Sequence, residues 1–278
     1  MEVSTYEMFV LNVLNFDSFE KIEFEISGQP NCVEVICHSA SEGEFGSVIK
    51  GKIYDRYLYK LNKSNYITQY DKYKEDKLDH RHIFEYDNNY CLVEYSKYNS
   101  KGERLHTSSF QWRHKVCPSY RYEYDKDGKM ERSTQYFYDP QYIGIIKHAV
   151  TESLVVRKRE FTLFKKLKKE IFLNFNHELK KYNDKGKTDS YKYDKNENCI
   201  EYKMNMGNIY IWNQYLYDEY NNIVQQNILK DNGEIRQQLF YKIFYDSSGN
   251  WIKKIKYYRN NLKELRKISA IIERRIEY

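Results

Sequence analysis

A short motif recurs along this chain of 278 residues: a hydrophobic residue, any residue, Tyr and Asp, followed by turn-forming residues. Its copies read FEYD, YEYD, YFYD, YKYD, YLYD and IFYD, and they begin at Phe84, Tyr122, Tyr136, Tyr191, Tyr215 and Ile243. The two hydrophobic side chains of a copy lie two residues apart, so on a strand they share one face. The Asp then falls where the chain must reverse, and its carboxylate can accept backbone N–H groups in an Asx-turn. The recurrence predicts an array of β-hairpins.

Glycines support the same interpretation. Gly128 and Gly249 lie in the turns after the motif, where a positive φ is needed, and Gly102, Gly186 and Gly233 indicate a second set of turns between copies. A single hairpin is only marginally stable in water, so neighbouring hairpins must pack together. A chain with 30 Tyr and only 3 Pro suits sheet faces covered by amphipathic rings. The predicted fold is mainly β, an open antiparallel meander that forms a curled or solenoid-like sheet, with one or two short helices.

These motifs, among them YDSSGNW, YEYDKDGK and YKYDKNEN together with the closing RRIEY, resemble the YD-repeat family, which is related to the Rhs repeats of bacterial toxin-delivery proteins. The resemblance covers roughly residues 50–278. It implies a β-hairpin array without catalytic residues of its own, which serves as a shell or scaffold in the long members. The spacing of the copies is irregular, and the chain is too short for an enclosed shell.

Residues 1–50 lack the repeat and are predicted to form an N-terminal cap, ahead of an array over residues 51–278. In this cap KIEFEIS and CVEVICHS alternate as strands do and are separated by the turn GQPN, which indicates a β-hairpin. The preceding STYEMFVLNVLNF has helical features, with Ser4 or Thr5 as the N-cap.

An insertion at about residues 145–182 interrupts the array. Phe161, Phe164, Leu167 and Ile171 fall at helical spacing there, although FTLF and IFLNF also fit strands, and the helix is favoured. The same ambiguity applies to residues 262–276, where Leu262, Leu265 and Ile268 indicate a helix but RRIEY resembles the last strand of the family. That second choice stays open.

Two groups of side chains are candidates for binding. Aromatic rings with polar tips are typical of binding surfaces, although each ring could instead fill the sheet face. The predicted aromatic anchors are Trp112, Trp212, Trp251, Tyr193, Tyr217 and Tyr245. A basic patch within the insertion favours an anionic partner, or else forms the solvated face of an amphipathic element. Its residues are Arg157, Lys158, Arg159, Lys165, Lys166, Lys168 and Lys169.

No pattern indicates catalysis. His80 and His82 share a strand face, and Cys32 and Cys37 lie close to His38, but neither set has a second ligand pair at metal-binding spacing. The Asp residues of the repeat are explained by their turns rather than as paired glycosidase carboxylates. A nucleophile elbow, a phosphate-binding Gly-rich loop and a metalloprotease helix are all lacking from the sequence. We therefore expect a protein that is not an enzyme and has neither a cofactor nor a metal.

Charge and cysteine usage point to a cytoplasmic protein. The 46 basic and 40 acidic side chains leave a net charge of +6, which is a weak attraction for polyanions. Five Cys without framework spacing fit a reducing compartment. The first residues carry Glu2 and Glu7 but no Lys or Arg, so neither a signal peptide nor a membrane span is expected.

The sequence therefore favours a non-catalytic module that binds another protein, for instance an immunity protein that occludes a bacterial toxin. A nucleic-acid-binding protein that uses the basic and aromatic residues is the alternative, and its affinity would fall steeply with salt. A third hypothesis is an envelope-associated repeat protein that binds glycans. Unpaired edge strands of an open sheet would also favour a homodimer through β-pairing.

Overall fold

A computed structural model describes residues 26–114, 117–138, 142–148, 152–161, 167–176, 181–183, 188–196, 198–206 and 209–278. It contains nineteen strands in one sheet. The strands are β1 Cys32–Glu42, β2 Val48–Leu61, β3 Ile67–Lys74, β4 Lys77–Tyr86, β5 Leu92–Asn99, β6 Arg104–His114, β7 Cys117–Tyr124, β8 Met130–Tyr138, β9 Tyr142–His148, β10 Glu152–Phe161, β11 Leu167–Asn176, β12 Lys181–Asn183, β13 Thr188–Tyr193, β14 Cys199–Met206, β15 Ile209–Tyr217, β16 Ile223–Leu229, β17 Ile235–Tyr245, β18 Trp251–Arg259 and β19 Lys267–Glu277.

The sheet is an antiparallel meander in which strands that follow each other along the chain pair with each other. The short β12 is a branch, since both β12 and β13 pair with β11. The one helical element in the described residues is a 3-10 turn at Glu44–Gly46. The predicted mainly-β antiparallel meander is confirmed, whereas the described residues contain none of the short α-helices that were expected.

The two ends of the meander meet. β1 pairs with β2 along one side and with β19 along the other, from Cys32 opposite Glu277 to Ser39 opposite Ala270. We call the β1–β19 pairing the seam. The prediction of an open sheet is corrected here, because the first and last strands satisfy each other's backbone groups. The unpaired edges on which the homodimer hypothesis depends are therefore not present at β1 and β19.

Two regions that the sequence left ambiguous are strands. β10 and β11 pair from Val155 opposite Asn174 to Phe161 opposite Leu167, so the favoured helix in the insertion is wrong where the chain is described. Residues 267–277 form β19, as the RRIEY comparison indicated. CVEVICHS lies in β1, which pairs with β2 on one side and with β19 on the other, and most of KIEFEIS lies outside the described residues. The helix expected over STYEMFVLNVLNF lies outside the described residues.

The register separates two faces. Val33, Tyr59, Tyr70 and Tyr95 belong to one face, which we call the aromatic face. It carries a core of buried side chains: Val33, Val35, Cys37, Tyr57, Tyr59, Tyr70, Phe84, Leu92, Tyr95, Phe110, Trp251 and Ile272. The opposite, polar face carries paired charges. Its most buried example is Asp71, whose carboxylate accepts hydrogen bonds from Arg81 Nε at 2.7 Å and Nη2 at 2.8 Å.

Candidate functional site

The repeated Asp organises the turns. In the five copies whose Asp is described, one carboxylate oxygen accepts the backbone N–H groups two and four residues further on, as at Asp125, where both distances are 2.9 Å. The other four are Asp87, Asp194, Asp218 and Asp246. The Asp of the sixth copy, Asp139, lies outside the described residues. The predicted Asx-turns are confirmed. Because the backbone occupies these carboxylates, their recurrence has a structural cause.

The residue three positions after the Asp takes a left-handed conformation where it is described. It is Gly128 and Gly249 with φ of 79° in two copies, Asn221 and Tyr90 with φ of 61° in two others. The following strand then carries a β-bulge, so that two of its residues oppose one residue of the partner strand. The turn and the bulge together fix the register of each hairpin.

The three predicted Tyr anchors lie on the aromatic face and are half-buried. The Tyr217 hydroxyl donates to the carbonyl of Cys199 at 2.7 Å, and the Tyr245 hydroxyl donates to the Asp218 carboxylate. Burial raises the pKa of Tyr193, Tyr217 and Tyr245. Tyr217 and Tyr245 thus tie each hairpin to the one before it, and the binding role of all three tyrosines stays a prediction.

Two of the predicted Trp anchors, Trp112 and Trp251, make contacts within the sheet. Trp251 is 3% exposed and lies in the core, with Arg274 and Lys254 each 4.1 Å from its ring centroid. Trp112 is half-buried, and its Nε1 donates to the carbonyl of Leu92 at 2.7 Å. Trp251 therefore offers almost no ring surface to a partner.

Trp212 lies instead on the polar face of β15. Its Nε1 donates to Glu201 at 3.1 Å, and the Lys203 ammonium lies 3.7 Å from its ring centroid. Lys192 pairs with the same carboxylate at 2.8 Å. Burial of Glu201 acts to raise the pKa of this carboxyl, but hydrogen bonds from Lys192, Trp212 and Gln214 hold it below its usual value. The indole is thus held in place by a charged network.

Further aromatic and aliphatic side chains surround Trp212 on this face. Tyr210 meets it edge-on, with ring centroids 6.4 Å apart. By the register, Leu216 on β15 and Phe240 and Phe244 on β17 face the same way. Leu216 is 55% exposed and Phe244 38% exposed. We call the set Tyr210, Trp212, Leu216, Phe240 and Phe244 the Trp212 surface.

Cations accompany the rings of the Trp212 surface. Arg266 lies 3.8 Å from the Phe240 ring centroid, and Lys242 lies 5.4 Å from that of Phe244. With Lys203 over Trp212, three rings on two strands each have a basic side chain beside them. Such contacts are attractive and leave the charges of Lys242 and Arg266 available to an acidic partner, whereas the Lys203 ammonium lies 3.7 Å from the Glu201 carboxylate.

Sequence reasoning named only Trp212 of this surface. The signal for two others lies in the repeat itself, because the residue between the paired hydrophobic side chains faces the polar side. It is charged in three copies, as Glu85, Glu123 and Lys192, but it is Phe137, Leu216 and Phe244 in the other three. An apolar residue at that position marks a departure from a solvated face.

The predicted basic patch is described only in part. Arg157, Lys158 and Arg159 belong to β10, and Lys168 and Lys169 belong to β11. Lys165 and Lys166 lie outside the described residues. Both segments are strands, and the binding role of the patch stays a prediction.

Within the described part of the chain, no three His, Cys, Asp or Glu side chains form a group that could hold a metal ion. Over the same residues, we find no helix with the length and apolarity that crossing a membrane would require.

Comparison with known proteins gives only weak likenesses. No family model and no curated protein matches the chain. A porin-like protein from Bacteroides uniformis is 10% identical, with a TM-score of 0.47, over 89% of this chain and 96% of that chain. The TcdB2–TccC3–TEV structure is 11% identical, with a TM-score of 0.30, over 77% of this chain and 14% of that chain. Likenesses at these scores establish neither fold nor function.

Proposed function

We propose that this chain is a non-catalytic protein-binding module whose docking site is the Trp212 surface. The observation that carries the proposal is the exposure of Leu216 and Phe244 on the same face as a Trp ring and a set of cations. Apolar side chains grouped on an otherwise charged face are typical of interaction sites. An immunity protein that occludes a bacterial toxin in the cytoplasm is the form of this function that we favour.

The chemistry of the surface defines the partner. Trp, Tyr and Arg contribute most to binding where they are rigid and become desolvated, and the Glu201 network holds Trp212 in place before binding. Lys242 and Arg266 would face the partner's carboxylates, which speeds encounter and disfavours the binding of basic surfaces. The partner is therefore expected to present apolar side chains ringed by Asp and Glu.

The YD-repeat family is part of the same proposal. Five Tyr-Asp turns with one common geometry support a place for the chain in that family. Since each repeated Asp is engaged by its own turn, the repeat acts as a scaffold, and function resides in the residues that depart from the pattern. Leu216 and Phe244 are two such departures.

Affinity capture from lysate of the source cell, with and without nuclease and at raised salt, tests the class of partner. We expect one protein in stoichiometric amount that survives both treatments. Trp212→Ala should reduce its recovery, while Trp112→Ala, which removes a half-buried indole elsewhere in the sheet, serves as the matched control. Loss of every captured component on nuclease treatment would contradict the proposal and favour the nucleic-acid alternative.

A further inference from the structure

A second set of charged side chains lies on the aromatic face of β3–β6, opposite in direction to the Trp212 surface. Lys72 stands opposite His80, His82 opposite Lys97, and Lys97 opposite His106. Side chains that stand directly opposite each other on neighbouring strands are in contact range. We call these five residues the histidine–lysine row.

The positive charge of the row has little compensation. Within the described residues neither Lys72 nor Lys97 takes part in an ion pair within 4.0 Å; the Lys72 ammonium lies 5.5 Å from the centroid of the Tyr57 ring. Of the acidic groups nearby, Asp79 contacts His80 of the row, and two others are engaged elsewhere. Asp71 is bound by Arg81 on the polar face, and Glu123 is bound by Arg121 at 2.9 Å.

The pKa of each of the three histidines is lowered in this environment. Burial, and after it the charges of His80 and Lys97, lowers the pKa of His82 to about 3. Burial and then Lys97 lower the pKa of His80, although Asp79 lies 3.1 Å from its Nδ1. Burial is also the main cause of the lowered pKa of His106. Three imidazoles are thus kept neutral beside two ammonium groups.

The three histidine side chains are held in position by neighbouring groups. The His80 and His82 rings meet at 4.7 Å between centroids, and His82 Nδ1 is 2.7 Å from the Tyr95 hydroxyl. His106 Nε2 is 2.9 Å from Ser108 Oγ. Lys72, His80, Lys97 and His106 are half-exposed, so solvent reaches all of the row except the buried His82.

We propose that the histidine–lysine row is a binding site for a multiply charged phosphate-type oxyanion, either free or carried as the phosphoryl group of a larger molecule. Two ammonium groups supply charge, and His80 and His106 supply N–H donors to the several acceptor oxygens of such a group. An anion there would offset the positive charge of Lys72 and Lys97. A singly charged carboxylate would compensate only part of it.

Binding is coupled to protonation, because an anion favours the charged form of each histidine. Protonated histidines should therefore strengthen binding as the pH falls from 8 to 6, whereas protonation of the phosphate-type group, whose second pKa is about 6, acts in the opposite direction. The charged and titratable groups that face the three histidines are Tyr70, Asp71, Lys72, Asp79, Tyr95, Lys97, Arg121, Glu123 and Glu131. The protonation of the oxyanion is common to the wild type and its histidine variants, so the difference between their pH dependences measures the contribution of the histidines.

Titration calorimetry with inorganic pyrophosphate at constant ionic strength tests the site on the full chain. We expect saturable binding that is about tenfold weaker in Lys97→Gln, since one charge-assisted contact is lost. His106→Gln, at the other end of the row, should also weaken binding and should lose part of the difference between pH 6 and pH 8. Lys60→Gln is the matched control, because Lys60 is an exposed lysine on the polar face of β2.

Two results would overturn the proposal. One is the absence of saturable pyrophosphate binding to the wild-type chain at millimolar concentration. The other is equal weakening by Lys60→Gln and Lys97→Gln, which would indicate a general effect of charge. A second arm with a short single-stranded oligonucleotide identifies the source of the phosphate. Competition between oligonucleotide and pyrophosphate supports a phosphoryl group of a polymer, and pyrophosphate binding without competition supports a free oxyanion.

Discussion

At the scale of single residues, the same residue types have different tasks in different positions. Trp251 and Trp212 are both bordered by cations, yet one lies in the core and the other on the polar face. The repeated Asp accepts backbone hydrogen bonds, whereas Asp71 holds a guanidinium group. Residue type alone therefore does not identify a binding group in this chain, and the strand register must be known as well.

His82 gives a prediction at this scale. The unfolded chain takes up a proton at this imidazole near its ordinary pKa of 6.5, while the folded protein does so only near pH 3. The unfolded state thus binds more protons between these values, and the folded state loses stability as pH falls below about 6.5. From pH 7 to pH 5 we expect a loss of about 2 kcal/mol from this residue.

Urea unfolding of the wild type and of His82→Gln at both pH values measures that loss. The wild type should lose about 2 kcal/mol more than the variant between pH 7 and pH 5, because contributions from other groups are common to both proteins. An equal pH dependence in the two proteins would show that His82 titrates normally in the folded state.

At the scale of the hairpin, one Asx-turn with a left-handed residue and a bulge is the unit from which the sheet is built. Removing the Asp side chain, which accepts two backbone N–H groups, should destabilise the hairpin. We expect Asp125→Ala to lower the free energy of unfolding by about 1 to 2 kcal/mol. Asp127, in the same turn, is exposed and its carboxylate accepts no such pair of bonds, so Asp127→Ala is the control for lost charge.

Chemical denaturation of both variants measures the difference. The account of the repeat as a structural turn requires Asp125→Ala to be the more destabilising change. If Asp127→Ala cost as much, the backbone contacts of Asp125 would not be what the repeat preserves.

The hairpins are also where sequence reasoning succeeded and failed most clearly. The turns were predictable because Asp, Asn and Gly act through local geometry, which a short motif records. The strands β10 and β11 were not, because the apolar residues from Phe161 to Ile171 fit a helix and a strand equally well. β10 pairs with β9 and β11 pairs with β13, and this pairing favours strands over a helix. A local sequence pattern does not record such pairing.

Of the Trp212 surface, the sequence predicted only Trp212, because the exposure of the other residues also depends on neighbouring strands. Alternation along a strand assigns Leu216 and Phe244 to the polar face, which the motif records. Their exposure depends on the neighbouring strands, since Phe240 on the same face is buried beneath Arg266 while Phe244 is 38% exposed. The face could be derived from the sequence, and the exposed patch within it could not.

At the scale of the whole molecule, the seam joins residues more than two hundred positions apart, and no local motif predicts this pairing. Asn250 reinforces it from the Asp246 turn and is 2% exposed. Its Oδ1 accepts the Ser27 N–H at 2.7 Å, and its Nδ2 donates to the Tyr278 hydroxyl at 3.1 Å. One side chain thus contacts segments near both ends of the sequence.

Asn250→Ala is therefore expected to lower the free energy of unfolding by about 2 to 3 kcal/mol, since it removes two long-range hydrogen bonds made by a side chain that is 2% exposed. Asn222 occupies the same place in the Asp218 turn and is half-buried, and its side chain contacts the Tyr220 carbonyl and the Tyr245 hydroxyl but neither Ser27 nor Tyr278, so Asn222→Ala should cost only about 1 kcal/mol. Thermal unfolding of the two variants compares them directly. Equal losses would mean that the seam gains nothing from Asn250.

The central claim is that the polar face of β15 and β17 is where this molecule binds another protein. The most direct test is the dissociation constant of the captured partner for Leu216→Asp and for Leu105→Asp, measured by calorimetry. Leu105 is 43% exposed on β6, so the control places the same charge on a comparable strand site. We predict at least about a tenfold loss of affinity for Leu216→Asp, the effect of desolvating one unpaired charge, and less than about twofold for Leu105→Asp. Unchanged affinity in Leu216→Asp, or an equal loss in both variants, would contradict the account.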